Sequence, residues 1–124
     1  MKAEAVLIVS DECEPVFTDG SIEYKQVEIM DEEGEDVKGL FRDCIQFIDR
    51  VVQKEGKTIL VHCAAGVSRS ASVVIAYIMF SRKIPLKEAH AFVLEKSPCI
   101  KPNTSFMKQL QVFEDELTKE GHYI

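Results

Sequence analysis

The chain has 124 residues and a net charge of −6. Hydrophobic residues make up 46% and charged residues 29%, the proportions of a globular chain with one domain-sized core. The acidic balance argues against nucleic acid as the main partner, although one local loop can still hold an anion. No apolar run approaches the roughly 20 residues of a membrane helix, so no membrane partner is expected.

Ala5 to Val9 is too short for a secretory core segment and follows the acidic Glu4. The expectation is a protein inside the cell, cytoplasmic or nuclear. These five residues read as a buried strand. Gly20 marks a turn, and Ile22 to Ile29 alternates loosely enough to read as a second strand. Asp31 to Asp36 forms an acidic loop.

The period then changes. Val37, Leu40, Phe41, Cys44, Ile48, Val51 and Val52 recur every three or four residues, which predicts one apolar helix face. Asp36 is its expected N-cap and Gly56 its stop. Thr58 to His62 reads as a short central strand. Ser70 to about Arg82 is apolar nearly all round and reads as a buried helix. Pro85 opens another, to about Lys96. Pro98 and Pro102 break the chain, and Asn103 caps a last helix with Phe106, Leu110, Phe113 and Leu117 on its inner face. Strands that alternate with helices predict an α/β domain over residues 1–124: a small, largely parallel central sheet flanked by helices.

Four cysteines are present: Cys13, Cys44, Cys63 and Cys99. None sits in a Cys-x-x-Cys pair or at zinc-binding spacing, so neither a metal nor another cofactor is implied. Cys13, Cys44 and Cys99 read as small apolar packing groups.

Cys63 lies in His62-Cys63-Ala64-Ala65-Gly66-Val67-Ser68-Arg69-Ser70, the link between an expected strand and an expected helix. The first N–H groups of a helix lack internal partners and carry partial positive charge. Small residues let the backbone curl, so that several amides converge on one anion. Arg69 adds a planar fork that matches two phosphate oxygens. A thiol at the base of such a cradle is expected to ionise below its usual range, because the amides and Arg69 favour the thiolate. A thiolate beneath a phosphate is placed for in-line attack on phosphorus.

This stretch, of the form HC-x-x-G-x-SRS, resembles the signature loop of cysteine-dependent protein tyrosine phosphatases, and the dual-specificity subfamily in particular. The resemblance implies that Cys63 is the nucleophile. Residues Ala64, Ala65, Gly66, Val67, Ser68 and Arg69 would bind the phosphate. Ser70 would assist departure of the thiolate, and His62 would orient the loop. Tyr24 to Asp31 resembles the segment that carries the family's general acid, which makes Asp31 the acid. Glu32, Glu33 and Glu35 are close by, and Asp36 is the runner-up. Ile100 to Leu110 resembles the family's Pro-Asn, Phe, Gln-Leu segment, in which Asn103 braces the phosphate loop.

The resemblance runs from about Ala5 to Leu117 and has two departures. The family domain usually opens with another strand pair and helix, and this chain begins after them; self-association is one way to cover the gap. Ser97 stands where the family often has arginine. Ala64, Ala65 and Val67 replace the lysines of phosphoinositide phosphatases, and the chain is too short for the pocket-deepening loop of the tyrosine-specific members. The resemblance therefore implies hydrolysis of phosphotyrosine and phosphoserine or phosphothreonine in proteins, through a phosphocysteine. The alternative is a pseudophosphatase that binds phosphoproteins without turnover.

Overall fold

The computed structural model describes residues 4–10, 22–30, 32, 34–62 and 68–121, with the backbone alone at His62. Three strands, β1 (Ala5–Val9), β2 (Glu23–Val27) and β3 (Ile59–His62), form a sheet in the order β2-β1-β3. Both pairings are parallel, with Ala5 opposite both Glu23 and Ile59. The expectation of a largely parallel sheet holds, and all three described strands point the same way. The central strand is β1, not the Thr58–His62 segment as expected: AVLIV has no polar residue and is buried throughout, whereas β3 lies at an edge among the described strands. Edge strand β2, EYKQV, is polar, and among its residues only Val27 is buried.

Four helices pack with this sheet: α1 (Lys38–Asp49), α2 (Arg69–Arg82), α3 (Leu86–Lys96) and α4 (Thr104–Lys119). Ala5, Leu7 and Val9, one face of β1, join a continuous core with Phe41, Ile48, Val73, Ile75, Met79, Phe106, Leu110 and Phe113. The face follows from the two-residue period of a strand. Helix α2 lies innermost, touching α1, α3, α4 and the sheet. Its all-round apolar sequence is what that position requires. Phe41 of α1 and Phe113 of α4 meet edge to face, ring centroids 5.2 Å apart.

Several boundaries follow local chemistry. The N-cap of α1 is Val37, one residue after the expected Asp36, but the Asp36 carboxylate still accepts the N–H of Gly39 at 3.0 Å and so serves the helix start. Helix α1 does not run uniformly to Gly56. It passes into a π-helical turn over Arg50–Lys54, closed by the Glu55 N–H on the Arg50 carbonyl. Gly56 then turns the chain at φ +64°, the left-handed region that glycine enters without strain. Lys83 ends α2 at φ 55° although it is not glycine. One packing expectation fails: Cys44 is fully buried, but Cys99 is exposed. Cys99 follows Pro98 in the turn between α3 and α4, beyond the reach of either apolar face. Cys13 lies outside the described residues.

Candidate active site

Parallel strands bring their carboxyl ends to one edge of the sheet, where α/β proteins place their ligand sites. Here that edge collects Ser10 after β1, Ile29 after β2, and His62 at the end of β3. Of the expected site residues, Asp31 and Cys63 to Val67 lie outside the described residues. Ser68, Arg69, Ser70 and Asn103 are described, as is the backbone of His62, the last residue of β3.

Arg69 is the first residue of α2 and is 3% exposed. A guanidinium at that depth must be matched by hydrogen bonds or an anion. One match is the Ile29 carbonyl, which accepts from Arg69 Nη1 at 3.1 Å. The arginine of the link is thereby tied to the segment leading to Asp31, across 40 residues of sequence.

Ser68 and Ser70 flank Arg69 and are also buried. Ser68 occupies the N-cap position of α2, yet its side chain does not cap the helix. Its hydroxyl instead accepts the backbone N–H of Asn103 at 3.0 Å. Its carbonyl receives the Ser72 N–H at 2.9 Å and the Ser72 hydroxyl at 2.7 Å. Ser72 thus ties the first turn of α2 back to the Ser68 carbonyl, while the Ser68 side chain is turned to Asn103.

Asn103 has two roles at once. Its side-chain oxygen accepts the Phe106 N–H at 2.8 Å and caps α4, as the sequence implies. Its backbone N–H makes the bond to Ser68. The bond to Ser68 therefore runs through the Asn103 backbone, which the cap orients.

Gln109 has no expected role from the sequence, although it stands in the Gln-Leu part of the family-like segment. From α4, its Nε2 donates to the Glu35 carbonyl at 2.7 Å and its Oε1 accepts the Lys38 N–H at 2.9 Å. It also donates to the Ser105 hydroxyl at 3.1 Å. The available signal was its position on the helix, one residue before the buried Leu110 and so at the border of the apolar face. Among the described residues, no group of three or more metal-binding side chains comes together.

Taken together, the described groups place a buried guanidinium at the start of α2, bonded to the chain just beyond the end of β2. The family model "dual specificity phosphatase, catalytic domain" matches residues 1–116. The chain is 40% identical over 113 residues to human dual specificity protein phosphatase 4, covering 91% of this chain and 28% of that protein. It is 42% identical over 113 residues to human dual specificity protein phosphatase 2, covering 91% and 35%. The chain thus spans about a third of the length of these relatives. The crystal structure of human DUSP28 superposes with a TM-score of 0.86 at 28% identity, over 94% of this chain and 77% of that one.

Proposed function

The chain belongs to the dual specificity phosphatase catalytic-domain family, and we propose that it is a phosphoprotein phosphatase acting on phosphotyrosine and on phosphoserine or phosphothreonine. The observation that carries this reading is the buried Arg69, bonded to the carbonyl two residues before Asp31. That contact links the phosphate-binding side chain to the segment that would carry the acid.

In the proposed reaction the Cys63 thiolate attacks phosphorus. The S–P bond forms as the P–O bond to the substrate breaks, and Asp31 gives its proton to the departing oxygen. Arg69 and the amides of the link hold the equatorial oxygens through the transition state. Water then attacks the phosphocysteine and yields its proton to Asp31. Inorganic phosphate leaves and the thiolate is restored, with the Ser70 hydroxyl donating a hydrogen bond to the sulfur as it departs. The partner is a phosphorylated protein. Self-association is part of the same reading. Strand β3 is an edge among the described strands, and an apolar cleft of about 270 Å³ lined by Ile48, Val52, Ile59, Val61, Val74 and Tyr77 runs beside it.

The test is hydrolysis of 4-nitrophenyl phosphate in EDTA. Wild-type turnover that Cys63→Ser abolishes is the expected result. Asp31→Asn should lose less on this substrate than on a phosphopeptide, because nitrophenolate leaves with little help from an acid. Absence of wild-type turnover, with tungstate still bound, would replace this reading with phosphoprotein binding alone.

A further inference from the structure

The peptide group joining Ile29 to Met30 is held at both of its polar atoms. Its carbonyl accepts from Arg69 Nη1 at 3.1 Å. Its N–H donates to the Glu35 carboxylate, Oε1, at 3.0 Å. A hydrogen bond to a charged acceptor is stronger than one between neutral groups. The two bonds pull on opposite ends of one planar unit, so they fix its rotation about the chain as neither could alone. The residue after Met30 is Asp31.

Glu35 is itself anchored. Its carbonyl accepts from Gln109 Nε2 at 2.7 Å, and its N–H donates to the Glu32 carbonyl at 3.3 Å. Gln109 also holds the Lys38 N–H, and Lys38 Nζ pairs with Glu116 at 2.8 Å. The carboxylate that grips Met30 therefore stands on helix α4 through two layers of contact. A turn stabilised only for its own sake would need neither the link to α4 nor the second bond on the Ile29–Met30 peptide.

From this arrangement we infer that Glu35 is a positioning residue for the proton-transfer step. Its carboxylate sets the peptide that precedes Asp31, and Gln109 sets Glu35. The inference rests on the proposed role of Asp31 as general acid. It makes the acid's placement depend on a residue four positions further along the chain, acting through the Ile29–Met30 peptide.

The test compares phenyl phosphate, whose leaving group needs protonation, with 4-nitrophenyl phosphate, whose leaving group needs little. Wild type, Asp31→Asn, Glu35→Ala, Glu35→Gln and Gln109→Ala are measured on both, with the Tm of each. The expected loss of kcat for Glu35→Ala is roughly three- to tenfold greater on phenyl phosphate than on 4-nitrophenyl phosphate. Gln109→Ala should show the same bias more weakly. Glu35→Gln should recover much of the loss, since an amide oxygen still accepts the Met30 N–H. If Asp31→Asn shows the bias and Glu35→Ala loses equally on both substrates, or on neither, the inference is overturned while the acid assignment stands. If Asp31→Asn shows no bias, the acid assignment fails and the inference falls with it.

Discussion

The cysteines show how environment sorts one side chain into different chemistries. Burial, reinforced by the Asp43 carboxylate, pushes the Cys44 thiol up to about 12. In the unfolded chain the thiol ionises near its ordinary value of about 8.5. Between these values the unfolded state releases a proton that the folded state keeps, so stability falls as pH rises through this window and is undiminished below it. Denaturant titrations from pH 8 to 11 should show a steeper decline for wild type than for Cys44→Ala. Alkylation with iodoacetamide at pH 8, followed by peptide mapping, should label the exposed Cys99 and spare Cys44 until denaturant is added.

At the scale of elements, the ends of the helices carry more consequence than their middles. Asn103→Ala should destabilise the protein by about 1 kcal/mol through loss of the α4 cap. It should also reduce kcat, because the cap orients the N–H that holds Ser68. Asn103→Asp, which keeps an acceptor, should restore most of both. At the end of α2, Lys83 holds a left-handed conformation at φ 55°. Lys83→Gly should therefore raise stability, by up to about 1 kcal/mol, read as a higher Tm. Gly56→Ala, at φ +64° in open space, should lower it by a similar amount.

At the scale of the molecule, the proposed anion site couples to global stability. Any ligand that binds only the folded state stabilises it, by about 2.7 kcal/mol at a hundred times its Kd. Tungstate should accordingly raise the Tm of Cys63→Ser as well as of wild type, since binding precedes chemistry. Arg69→Ala should lose that shift, because the buried fork at the start of α2 is gone. An undiminished shift in Arg69→Ala would place the anion elsewhere.

Much of this protein is determined locally. Apolar runs, the two periods and the Pro and Gly breaks located the three described strands and four helices, because burial and chain breaks are written directly in the order of residues. The Asp36 contact, the Asn103 cap and the Gly56 turn were legible for the same reason: each is a contact or dihedral within four residues. Cys63, Arg69 and their small neighbours pointed to a phosphate cradle because strand-link-helix geometry is itself local. Other features depended on elements far apart in sequence. The π turn after α1 has no cue in a pattern of apolar spacing. The exposure of Cys99 depends on where α3 and α4 leave their connection. Only the packed fold brings Arg69 to the Ile29 carbonyl, or Gln109 to residues more than 70 positions earlier. A hydrogen bond between distant segments leaves no periodic trace, since it constrains one donor and one acceptor and not the residues around them.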